Sequence, residues 1–346
     1  MSFLLASQFL KLTFGIVPMP IKTRLTEQLG IRHPVISAPM AFVAGGKLAS
    51  AVTKAGGLGL IGGGYGDADW LAEQFHAAGN TQVGCGFITW SLANTPHLLD
   101  QVLERKPSCI FLSFGDPEQF VPKIAAAGVS LFCQVQTIEG AKRAIGAGAT
   151  LIVAQGAEAG GHAAIRSTFP MVPEVADLLA KRSPETLLCA AGGVADGRGL
   201  AAALMLGADG VLVGSRFSAC KEALVFPGWH DALLSANGDA TVQTSSVDIA
   251  RKRDWPKPYR IRVLDNNFVQ RWRGRESDLR AAQDRAATRY EEAVQSGDTD
   301  NYGVIVGETV GLISAIEPAA TVLESMVAQA EVLLNQAPTF SIAGTA

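Results

Sequence analysis

Between residues 35 and 217 short apolar runs recur, with helix-like segments between them. The runs begin near positions 35, 59, 84, 110, 131, 152, 188 and 211, so the spacing is 21–26 residues except for one interval of 36. The segments 47–55, 69–78, 96–105, 117–127, 138–147 and 199–206 read as the intervening helices. Strand then helix, eight times, predicts an α/β fold, the (β/α)8 TIM barrel. The runs are almost wholly apolar rather than alternating, as strands buried on both faces should be. A doubly wound open sheet is the runner-up, but no dinucleotide fingerprint opens the chain. Gly62-Gly63-Gly64 lacks that spacing and reads as a tight turn.

The stretch 151–217 carries the chemistry. The seventh and eighth runs end in Gly192-Gly193 and Gly214-Ser215, each where a helix should begin. Glycine lets backbone N–H groups approach a ligand, and helix N-termini attract anions, so the pair suits a phosphate. Arg216 is either a phosphate partner or a surface residue. The one long interval contains Gly160, Gly161 and His162. In a barrel the loops after the strands hold the active site, which makes His162 the candidate catalytic residue. Glu158 stands nearby without a settled role. Gln134 and Gln155 end the fifth and sixth strands, where their amides either bond the polar edge of a heteroaromatic ring or are satisfied by loop backbone. Ala38 and Met40 end the first strand and face the same ring. Trp90 follows the third strand and either walls the pocket or packs under the next helix. No cluster of His, Asp or Glu has metal-ligand spacing, so no metal is expected.

The chain has 346 residues, enough for such a barrel with an addition. Residues 1–21 read as an N-terminal extension and 22–217 as the barrel. Residues 218–300 lose the strand period and hold Trp229, Trp255 and Trp272 among charges and prolines. They are expected to form a smaller, mostly helical domain over the mouth, with a charged helix at 278–295. Residues 301–346 return to the barrel through an apolar helix at 318–335, and Tyr302 is placed by chain order to meet the substrate. Net charge is −3 and no basic patch stands out, which argues against nucleic acid. No run of eighteen apolar residues occurs, so no membrane span is expected. The five cysteines stand singly, none in Cys-x-x-Cys, which suits buried reduced thiols and a cytoplasmic protein. Oligomeric state is left open.

Several segments resemble the nitronate monooxygenase family, formerly called 2-nitropropane dioxygenases. They are Ile-Ser-Ala-Pro-Met-Ala at 36–41, Val-Gly-Cys-Gly-Phe-Ile-Thr-Trp at 83–90 and Ser-Phe-Gly-Asp-Pro at 113–117. The others are Gln-Gly-Ala-Glu-Ala-Gly-Gly-His at 155–162, Ala-Gly-Gly-Val-Ala-Asp-Gly at 191–197 and the run 206–217. The 155–162 run is the most specific. Two departures are Ser215 where threonine is commoner and the absence of the asparagine found after the third strand. The resemblance implies non-covalent FMN and oxidation of alkyl nitronates, or of neutral nitroalkanes, by O2 to a carbonyl compound and nitrite. It implies that Gly193, Gly214 and Ser215 hold the FMN phosphate, with Gly192 in the same loop. Ala38, Met40, Gln134, Gln155, Gly160 and Gly161 would line the rest of the cofactor, and His162 would stand at the flavin face. A second reading is an NADH-dependent flavin reductase related to bacterial enoyl-thioester reductases. A third is a flavin-binding module without activity.

Overall fold

The computed structural model describes residues 21–336, so most of the expected N-terminal extension lies outside the described residues. Eight parallel strands form the barrel: β1 (Val35–Ser37), β2 (Leu60–Gly64), β3 (Gly84–Ile88), β4 (Cys109–Ser113), β5 (Ser130–Val135), β6 (Leu151–Gln155), β8 (Leu187–Ala191) and β9 (Gly210–Val213), with β7 (Gly161–Ala163) lying outside it. They pair in the order β1-β9-β8-β6-β5-β4-β3-β2. The ring closes where Ser37 N–H donates to the Leu58 carbonyl and Leu58 N–H donates to Val35.

Alternate residues of these strands serve two cores. Ile36, Phe111, Phe132, Val153 and Leu212 fill the barrel interior. Their neighbours Ile110, Leu112, Cys133, Ile152 and Val211 pack outward against the helices. That two-sided burial is why the strands read as unbroken apolar runs. Leu25, on the short helix Arg24–Leu29, joins the interior cluster from below. All five cysteines are unpaired and buried. The last helix, Ala319–Gln336, packs on the helices Gly197–Met205 and Gly46–Lys54 and completes the outer ring.

Above the mouth sits a second hydrophobic core, built from residues such as Trp229, Val263, Val269, Tyr290 and Val310. Helices predominate there, as expected, but the charged helix is broken into Glu276–Ala281 and Gln283–Ser296. The segment also contributes two strands, β10 (Thr241–Thr244) and β11 (Arg260–Leu264). These form an antiparallel sheet with β7, in the order β10-β11-β7. The long interval in the strand period is thus a barrel loop drawn up and zipped onto the upper layer, with His162 opposite Ile261. None of the described helices is long and apolar enough to cross a membrane.

Candidate active site

A cavity opens at the C-terminal end of the barrel, between the strand ends and the upper layer. The ends of β1, β8 and β9 contribute Ala38, Met40, Gly192, Gly193, Gly214 and Ser215 to its wall. Gln134, Gln155, Gly160, Gly161 and His162 line it as well. Ten cofactor candidates and the candidate catalytic histidine therefore converge on one space.

The glycine loops have the geometry that close ligand approach needs. Gly192 and Gly193 have φ of 91° and 78°, in the left-handed region. A Cβ on Gly193 would meet no atom within 4 Å, so the loop leaves open space on that side. The helix Ser215–Ser218 begins next to it; Phe217 and Ser218 donate to the Gly214 carbonyl, and among the described residues the Ser215 and Arg216 N–H groups have no acceptor. Ser215 Oγ accepts a hydrogen bond from the Gly307 N–H at 2.8 Å, which ties this loop to the upper layer. Trp229, also on the cavity wall, has a buried indole N–H with no hydrogen-bond partner among the described residues.

Gln155 is oriented by its neighbours. Its Oε1 accepts from the amides of Gln134 at 3.1 Å and Gln136 at 2.8 Å. Both lone pairs of that oxygen are then used, which leaves the Gln155 NH2 as its free donor. Gln136 was absent from the sequence reading because its role is to hold another side chain.

His162 is buried, and its Nε2 lies 3.0 Å from each carboxylate oxygen of Asp248. A carboxylate only accepts, so Nε2 carries the proton and Nδ1 is left as the basic atom. The ring lies flat on Trp255, with 3.3 Å between centroids and 9° between planes. Burial lowers the histidine pKa below its usual 6.5 and is the largest influence. The hydrogen bond and charge of Asp248 push it the other way, and Arg251 adds to the lowering.

Asp248, Arg251 and Trp255 all come from one segment, at the end of the helix Ser246–Ala250 and just beyond it. The sequence reading missed them, since nothing in 246–255 resembles a site without knowledge that His162 lies above it. Tyr65 braces the segment. Its hydroxyl accepts from Trp255 Nε1 at 2.9 Å, and the Arg253 guanidinium sits 4.2 Å from its ring centre. Phe114 completes the aromatic wall, 5.0 Å from Trp255, and adopts φ of 64° to do so. A non-glycine residue there is strained by about 1–3 kcal/mol, a cost often found beside ligand sites.

Four further residues singled out in the sequence have these surroundings. Tyr302 does not line the cavity. It lies in the upper core against Trp229 and donates its hydroxyl to the Pro227 carbonyl at 3.1 Å. Trp90 sits behind the wall, packed edge-on to Tyr65 and Trp255. Arg216 is no phosphate partner, being held by Glu317 at 2.6 Å and the Ala315 carbonyl. Glu158 caps the helix Thr168–Arg182 by accepting from the Thr168 N–H and hydroxyl.

The chain is similar to several known proteins. The family described as Nitronate monooxygenase matches residues 22–82 and 89–329. The residues between the two matched ranges, 83–88, include β3. A nitronate monooxygenase of Neurospora crassa is 32% identical, covering 90% of this chain and 92% of its own. The nitronate monooxygenase npaC of Metarhizium robertsii is 34% identical, covering 87% and 92%. The solved structure of FabK from Thermotoga maritima superposes with a TM-score of 0.80 at 29% identity, covering 93% of this chain and all of FabK. The family match over most of the chain and relatives at 32–34% identity show that the chain belongs to the nitronate monooxygenase family.

Proposed function

We propose that this oxidoreductase binds FMN and uses it to oxidise alkyl nitronates with O2 to a carbonyl compound and nitrite. The observation that carries the reading is a buried, neutral-leaning His162 held by Asp248 on the wall of a cavity floored by two glycine loops. The Gly193 loop and the Gly214-Ser215 helix start would hold the phosphate, and the Gln155 amide would meet the ring edge. When bound, FMN supplies the electron acceptor, and that chemistry belongs to the cofactor.

The chain's own contribution is to bind and orient the substrate and to move one proton. A preformed nitronate needs no base. A neutral nitroalkane must first lose its α-proton, and His162 Nδ1 is the atom that takes it. The resulting imidazolium is stabilised by the carboxylate of Asp248 on its other nitrogen. Phe114, Trp255 and Tyr65 form an aromatic wall of the cavity that would limit water around the reacting groups.

The experiment is direct. Purified protein should be yellow, release FMN on denaturation, and bleach when mixed anaerobically with ethyl nitronate. Colourless protein that takes up no added FMN would remove the cofactor, and an unbleached holoprotein would remove the substrate. The FabK likeness favours one second reading, a reductase in which NADH reduces the flavin. Anaerobic bleaching by NADH but not by nitronate would select it.

A further inference from the structure

Resting on the proposed nitronate chemistry, we infer that Arg251 is the residue that grips the anionic end of the substrate. Its side chain lines the cavity, half-buried, beside His162, Trp255 and Phe114. Among the described residues it makes no hydrogen bond and no ion pair. The ring of Tyr65 lies near it, with its centre 5.9 Å from the guanidinium carbon. The acid that could have neutralised it, Asp248, has both oxygens on His162. The other basic residues of this segment are spoken for: Lys252 pairs with Asp284, and Arg253 lies closer over Tyr65. The site therefore holds one carboxylate hydrogen-bonded to the histidine and one cation on the cavity wall that, among the described residues, forms no direct ion pair.

A nitronate presents two oxygens on a planar centre, as a carboxylate does. The guanidinium fork matches that shape with two parallel N–H donors. The flat rings of Phe114 and Trp255 beside it suit a planar or apolar substituent on the same anion. This separates two roles: Arg251 holds the charged oxygens, and His162 is left to face the carbon that carries the proton.

Benzoate is a non-reacting probe with the same planar two-oxygen anion, and benzamide is its uncharged counterpart. Their binding to the holoprotein is measured by calorimetry, alongside the KM for ethyl nitronate. The wild type should bind benzoate at least roughly tenfold more tightly than benzamide, the scale of a hydrogen bond to a charged group. Arg251→Met should abolish that preference and raise KM by roughly ten- to a hundredfold, with flavin content unchanged. Arg251→Lys should keep the preference in part, since it keeps the charge and loses the fork. A benzoate preference that survives in Arg251→Met, or no preference in the wild type, overturns the inference. If either variant loses flavin or melts early, the other decides. An Arg251-dependent benzoate preference in a protein that does not oxidise nitronates would sink the proposed reaction while leaving the anion site standing.

Discussion

The imidazole of His162 lies flat against the indole of Trp255, 3.3 Å between ring centres. The indole is itself fixed, because its N–H donates to the Tyr65 hydroxyl. One face of the histidine is thereby closed to water, and its second nitrogen is occupied by Asp248. Only one basic atom remains, in a setting that favours the neutral ring.

Trp255→Ala should re-expose His162. Burial is the main cause of its lowered pKa, so the pKa should move up toward 6.5. The acid limb of nitroalkane oxidation, which requires the neutral ring, should move to higher pH by the same amount. A pH profile of kcat/KM that does not move would mean that the indole does not set the histidine's environment.

Asp248→Asn should let the amide donate to Nε2 and place the histidine proton on Nδ1, the wrong tautomer for a base. Nitroalkane oxidation should fall by roughly two orders of magnitude or more, while preformed nitronate, which needs no proton removal, should lose much less. Equal losses on the two substrates would assign Asp248 to structure alone.

Stability should carry the histidine's signature. His162 has its pKa depressed in the fold, so below 6.5 the unfolded chain takes up the proton first. Its contribution is therefore complete above pH 6.5 and is lost progressively as the pH falls through the folded value. The urea midpoint of the wild type should drop between pH 7.5 and 5.5 by more than that of His162→Gln. Identical pH slopes would contradict a buried neutral ring.

Gly193→Ala tests the cradle. At φ of 78° any side chain costs about 1–2 kcal/mol, yet no atom stands in the way of a methyl group. The melting temperature should fall only modestly, while flavin content after dialysis should fall severely. Full flavin retention would show that the open side of Gly193 is not where the phosphate sits.

Tyr302→Phe should leave the KM for nitronate unchanged, because the hydroxyl reaches Pro227 rather than the cavity. Burial pushes that hydroxyl's pKa up to about 12, so it stays a donor through the working range. The loss should appear as about 0.5–1.5 kcal/mol of stability by denaturant titration. A changed KM with unchanged stability would restore Tyr302 to the pocket.

The barrel was legible in the chain because each strand is buried on two sides. That demand leaves a run such as Ile110–Phe111–Leu112 with no polar member, repeated at nearly one period. The glycine loops were legible for a related reason: left-handed backbone at Gly192 and Gly193 and an open helix start after Gly214 are local requirements, written in adjacent residues. His162 was legible from the long interval that carries it. What holds and surrounds His162 was not. Asp248 is 86 positions away, and its value to the site arises only because β7 pairs with β11 and brings the helix Ser246–Ala250 over the ring. The same pairing turns Arg251 and Trp255, ordinary residues in a charged and proline-rich stretch, into walls of the cavity. It leaves Tyr302 inside a separate core. Local sequence determines where a backbone can turn and which face it must bury. Which distant side chain satisfies a buried nitrogen is decided by tertiary packing alone.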